Sequence, residues 1–202
     1  MEHTFRPSIG SHNPFVSWGW LSVSEFRNAT KDLRQLTGLK VVVQTCPTRS
    51  PLPNPRNGSS IICLVNNHFV CACKYQNKLI FFDPLGNTSD MFFASRNIEY
   101  IDVRTAVQPE NSVYCGNYCL FFCLLMHVHL HAPAVSNVLC RLHVLQILQQ
   151  FLYVTKDKLV NNEFLIELFT IDWQLGEEFF DEKYDKFALY KSKCSKHAFI
   201  NE

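Results

Sequence analysis

The chain has 202 residues, 47% of them apolar and 18% charged, which excludes a largely disordered protein and suits one domain over residues 1–202. Its 19 Lys and Arg against 18 Asp and Glu leave a net charge of +1, which excludes a strong electrostatic hold on nucleic acid. The nine cysteines sit mostly inside apolar runs, and residues 1–20 hold no basic segment followed by an apolar one, so a soluble protein of a reducing compartment is expected.

Residues 1–20 are polar and irregular. Ser22-Val23-Ser24-Glu25 has the form of a capping box with Phe26, Leu33 and Leu36 behind it, which predicts a helix over 22–36 stopped by Thr37-Gly38. The Val-rich run Leu39 to Thr45 predicts a strand. Cys46 to Ser60, with four prolines and a glycine, predicts an exposed loop. Ile61–Val65, Phe69–Tyr75 and Lys78–Phe82 predict three more strands, the last two joined by Gln76-Asn77 at hairpin spacing, and Ile98–Val103 another. Gly116 to Leu130 is apolar nearly all round, as in a helix buried on every side, and Pro133 ends it. Val138 to Tyr153 and Glu163 to Phe169 repeat apolar residues at helical spacing, and the last 25 residues read as a surface helix and a frayed end. The expected class is α+β: a central mixed sheet flanked by helices, with a buried central helix.

Four residue types stand in contexts that each suit one step of acyl transfer. Cys115, in Val113-Tyr114-Cys115-Gly116, falls at the N-terminus of the buried helix, where unpaired N–H groups and the macrodipole favour a thiolate. Gly116 behind it leaves room for a substrate backbone. His68 opens a strand, and Asp83 ends the neighbouring one 15 residues later, across one hairpin. That spacing brings an imidazole near a carboxylate able to orient it. Asp90, Glu99 and Asp102 are the alternative carboxylates. Gln108, seven residues before Cys115, can donate its amide to an oxyanion, with the Cys115 N–H as second donor. Cys119 and Cys123, one and two turns further along the helix, read as core. His127 and His131 are spaced for a shared metal, but no acidic third ligand lies near, so packing or surface is the preferred reading and no metal is expected. The sequons at Asn28, Asn57 and Asn87 carry no meaning in a chain that is not secreted.

The order His, acid, Gln, Cys over residues 61–131 resembles the adenains, the adenovirus maturation proteases, which share a clan with the ubiquitin-like-protein proteases. The segment from Gln108 to Cys119 matches the family's spacing: Gln, then Asn-Ser, then Cys-Gly, then a second Cys. Phe82-Asp83-Pro84-Leu85-Gly86 is similar to the family's aromatic-acid-Pro-aromatic-Gly segment, with Asp for Glu, and His68-Phe69 stands for a His-Trp pair. The resemblance implies an adenain-like fold with His68 as base, Asp83 as orienter, Cys115 as nucleophile and Gln108 in the oxyanion hole. It implies a monomeric viral endopeptidase that cleaves virion precursor proteins in the host nucleus and virion. Two features depart from the family. Adenains link an activating capsid peptide to a cysteine eighteen residues before the nucleophile, where this chain has Asn97. They also use DNA as a cofactor and are strongly basic, whereas this chain is nearly neutral, so DNA is not expected to activate it. An activating peptide would then be a non-covalent added strand or be linked to Cys46 or Cys194. The competing readings are a protease that removes SUMO or ubiquitin, against which Tyr114 stands where that class has Asp, and a binding module with a vestigial triad.

Overall fold

The computed structural model describes residues 15–17, 26–27, 30–31, 34, 38–51, 54–75, 78–94, 100–110, 112–129, 136–154 and 158–172. Phe15–Ser17 (β1) pairs antiparallel with Thr170–Asp172 (β7), joining the two ends of the described chain. Between them lies a five-stranded mixed sheet: β2 (Val41–Thr45), β3 (Ser60–Val65), β4 (His68–Tyr75), β5 (Lys78–Phe82) and β6 (Tyr100–Val103), in that spatial order. The outer pairs β2–β3 and β5–β6 are parallel, and β3–β4–β5 is antiparallel. Helices α1 (Cys115–His129), α2 (Asn137–Gln149) and α3 (Lys158–Phe169) follow. The protein is therefore α+β, with a mixed sheet and helices. Among the described residues no helix is long and apolar enough to cross a membrane.

The central strands are apolar at almost every position because both faces of the sheet are covered. Alternate residues sort cleanly. Ile62, Phe69, Cys71, Cys73, Ile80 and Phe82 share a core with α1, while Ile61, Cys63, Val65, Val70, Ala72 and Phe81 pack with Phe93 in a second cluster. Helix α1 is buried from Cys115 through Met126, as a helix apolar all round must be. Small cysteines let it approach β4: Cys71 Sγ meets the Cys119 carbonyl at 3.7 Å, and Cys73 and Cys123 sulfurs are 4.0 Å apart. Phe122 stacks on Phe82 at 4.3 Å between ring centres.

The element borders differ from the expected ones in instructive ways. Phe26, Arg27, Thr30, Lys31 and Arg34 are helical, and Gly38, at φ 72°, donates to the Arg34 carbonyl at 3.0 Å, the left-handed stop expected of it. The first sheet strand begins at Val41, not Leu39, and β3 takes in Ser60. Cys46, placed by its prolines in an exposed loop, is only 5% exposed: its N–H donates to the Leu64 carbonyl at 2.9 Å, which draws it under the sheet. Helix α2 stops at Gln149, short of Tyr153. Asn161 takes both backbone groups of Tyr153, at 2.8 Å each, and so ends the helical ladder. For its part α3 starts at Lys158, before Glu163. Residues 98–99 and the expected C-terminal surface helix lie outside the described residues.

Candidate active site

Three chain segments converge. The two-residue turn Asn66-Asn67, with φ of 49° and 60°, reverses the chain so that His68 opens β4 opposite Val65. Tyr75 pairs with Lys78, and Cys71 with Phe82, so β5 ends one residue before Asp83. Extending that register by one step puts Val70 opposite Asp83 and His68 on its diagonal, within reach of a long side chain. The contact is direct: His68 Nε2 lies 2.6 Å from Asp83 Oδ1.

Asp83 has no exposed surface, and donors occupy both its oxygens. Oδ1 also accepts from the Leu85 N–H at 3.0 Å, and Oδ2 accepts from the Asn87 N–H at 3.2 Å and side-chain amide at 2.6 Å. A buried carboxylate needs such a set of partners to offset its lost hydration. The alternative acids are engaged elsewhere. Asp90 accepts from Thr88 Oγ1, and Asp102 from the Ser89 N–H at 3.0 Å. Glu99 lies outside the described residues.

The His68 side chain keeps 19% of its surface exposed and stacks on Phe92, ring centres 5.9 Å apart. Burial of the ring works against its protonated form. Hydrogen bonds to Asp83 and to Cys115, reinforced by their charges, outweigh that and push its pKa up from 6.5 to about 9. With Nε2 held by Asp83, Nδ1 is the ring nitrogen left for the thiol.

Cys115 is the first residue of α1 and 8% exposed. Its Sγ accepts from the Phe69 N–H at 3.4 Å. The N–H groups of Cys115, Gly116 and Asn117 open the helix and have no intrahelical partner. Gly116 serves packing rather than substrate: a Cβ there would lie 2.8 Å from the Phe26 ring and 3.3 Å from that of Phe69. Cys119 and Cys123 are wholly buried. Burial pushes the Cys119 thiol up to about 12 and that of Cys123 well above its ordinary value, so both belong to the core.

Gln108 is 2% exposed, and its amide donates to the Ser112 carbonyl at 2.6 Å. One amide hydrogen is spent on that bond and the other is left. Its Oε1 has no partner among the described residues, nor has Oδ1 of Asn117. The loop holding Gln108 is tied to the Asp83 turn through one peptide: the Pro84 carbonyl accepts from the N–H groups of Val107 and Gln108, at 2.9 and 3.0 Å. On the far side Ser112 Oγ and Tyr118 Oη both donate to Asn162 Oδ1, at 3.0 and 2.8 Å.

All four residues singled out in the sequence therefore lie on neighbouring segments: His68 is bonded to Asp83, and Cys115 Sγ is held by the N–H of Phe69, the residue next to His68. Three contributors escaped the sequence reading: the Phe69 N–H on sulfur, the Phe92 ring on His68 and Asn87 on Asp83. Only Asn87 had a local cue, as the residue just after an Asp-Pro-x-Gly turn, free to fold back on its acid. His127 is exposed on α1, and its expected mate His131 lies outside the described residues. Among the described residues no three His, Cys, Asp or Glu side chains group as metal ligands. No known family model matches this chain, and no curated protein matches it.

Proposed function

We propose that the chain is a cysteine endopeptidase of the adenain kind, cutting virion precursor proteins during maturation in the host nucleus. The observation that carries the reading is the 2.6 Å contact of His68 with Asp83, together with Cys115 at a helix N-terminus and its sulfur on the N–H of Phe69, the residue next to His68. In the reaction, the Cys115 thiol gives its proton to His68 Nδ1 and the sulfur attacks the scissile carbonyl carbon. The negative sulfur is met by the Phe69 N–H and the start of α1. The oxyanion of the tetrahedral intermediate draws on the Cys115 N–H and the remaining amide hydrogen of Gln108. Collapse breaks the carbon–nitrogen bond, and the imidazolium protonates the departing amine. A water then gives its proton to His68 and attacks the thioester, releasing the acid and restoring the thiol. Asp83 holds the ring and its positive charge throughout.

The test is hydrolysis of glycine-containing peptides, folded SUMO and ubiquitin by the wild type and by Cys115→Ala. Cleavage of peptides by the wild type alone is expected. Cleavage of SUMO or ubiquitin with peptides untouched would overturn the substrate class, and equal rates in both proteins would overturn the chemistry.

A further inference from the structure

Both donors on Asp83 Oδ2 come from one residue. Asn87 supplies its side-chain amide at 2.6 Å and its backbone N–H at 3.2 Å. The other oxygen serves His68 and Leu85. The last torsion of an Asp side chain is broad and roughly two-fold, so a carboxylate does not fix its own plane. Something must stop it swinging away from the ring it orients. The turn is built to put Asn87 there. Gly86 closes it by donating to the Asp83 carbonyl at 2.8 Å, and its φ of 82° sends the chain back toward Asp83. A Cβ on Gly86 would lie 2.8 Å from the Ala106 nitrogen, so the turn is seated hard against that strand of backbone. Thr88 cannot substitute, because its hydroxyl is spent on Asp90. A carboxylate only accepts, so the group Asn87 turns to it is the NH2 end.

We propose that Asn87 is a positioning residue of the site: its side-chain amide fixes Asp83 Oδ2 and so aims Oδ1 at His68 Nε2. The inference rests on reading His68 and Asp83 as base and orienter. A neutral amide suits the task. A lysine would neutralise the carboxylate that must balance an imidazolium, and an ionised carboxylate would repel it. The titratable side chain bonded to Asp83 is His68, and the charge of Asp83 also bears on Cys119 in the core behind it.

The experiment compares Asn87→Ala and Asn87→Asp with the wild type in the full chain. His68 is titrated by NMR without substrate, and kcat and KM are measured on a cleaved peptide. In Asn87→Ala the His68 midpoint should fall and kcat should drop about tenfold or more at unchanged KM, as for a small misplacement of a catalytic group. Asn87→Asp keeps the size but sets a second carboxylate beside the first, so it should lose more at neutral pH. Its activity relative to wild type should recover as the pH falls toward about 5, where the new side chain holds a proton and can donate again. A folded Asn87→Ala with wild-type midpoint and kcat would overturn the proposal. If that variant does not fold, an Asn87→Asp to wild-type ratio that stays flat with pH would overturn it instead. Should the wild type cleave nothing, the protease reading fails, while the His68 midpoint still decides the role of Asn87.

Discussion

Replacing Asp83 by Asn tests the base and its orienter together. The side chain is fully buried with four donors around it, two on each oxygen. An amide has one acceptor end, so two of those donors must face an NH2. If the oxygen stays toward His68 and Leu85, the Asn87 side chain can turn to solvent but its backbone N–H is left unpaired. The stability cost is then about 1–3 kcal/mol. The catalytic cost comes from the lost charge. The rise of the His68 pKa from 6.5 to about 9 corresponds to about 3 kcal/mol of preference for the imidazolium, which sets the scale of the loss. Cys115 supplies part of that rise, so a kcat loss of about 10- to 100-fold is expected. The pH profile carries the sharper mark. The imidazolium that protonates the departing amine is lost as the pH climbs through the His68 pKa, so wild-type activity should fall on an alkaline limb near pH 9, and the variant's limb should move toward 6.5. Stability follows the same linkage. The folded-state pKa is raised, so this contribution is fully present below about pH 6.5 and is lost as the pH climbs through about 9. Peptide hydrolysis from pH 5 to 10, with thermal unfolding at each pH, measures both. An alkaline limb that does not move in Asp83→Asn would refute the reasoning.

Cys115→Ala should abolish hydrolysis while Cys119→Ala and Cys123→Ala keep most of it; labelling by a thiol-reactive peptide on Cys119 rather than Cys115 would reverse the assignment. Gln108→Ala should lower kcat at little change in KM, by about 3 kcal/mol for a lost oxyanion donor, and a raised KM at constant kcat would make it a substrate contact instead. Gly86→Ala should destabilise the fold by about 1–2 kcal/mol, since a side chain at φ 82° is strained and would meet Ala106, and unfolding at the wild-type denaturant midpoint would contradict that. The purified chain should gain little from DNA, and any activating capsid peptide should act equally with and without reductant unless it is linked to Cys194, because Cys46 is buried and no cysteine stands at position 97; an effect lost with reductant and in Cys194→Ser would mark that link. Stimulation by DNA that collapses with salt would count against this.

Much of the architecture was legible because periodicity follows burial. The fully apolar run from Gly116 pointed to α1, and the apolar strands pointed to a mixed sheet buried on at least one face, where the structure covers both. The direct His68–Asp83 contact was not, because it depends on where the turns fall. Asn66-Asn67, both left-handed, decides that His68 is the first residue of β4, and the Tyr75–Lys78 pairing then sets the diagonal to Asp83. Cys46 misled because proline content reports the loop, while the hydrogen bond to Leu64 that buries it joins residues 18 apart. Gly116 misled because a missing side chain beside a nucleophile looks the same whether it makes room for substrate or for Phe26. The Phe69 N–H could not be found from side-chain types at all, since any residue there supplies the same group.

The site also shows how a long connection can be precise. Gln108 lies in the segment between β6 and α1, which leads directly into Cys115 and contributes no strand of its own to the sheet. Its first half is fixed to the Asp83 turn by two bonds on the Pro84 carbonyl, and to α3 by the Asn161 amide, which donates to the Val107 carbonyl at 2.8 Å. Its second half is fixed by Ser112, which accepts from the Tyr114 N–H and donates to Asn162. Neighbouring residues of α3 thus hold both ends of the loop, and the same Asn161 closes off α2 at Tyr153. Because Asn161 is 1% exposed and every side-chain bond it makes is to backbone, it has no packing substitute: an apolar side chain there would leave the buried Val107 carbonyl unpaired and release both backbone groups of Tyr153. Helix α3 is therefore part of what keeps Gln108 and Cys115 in one frame with the His68–Asp83 pair.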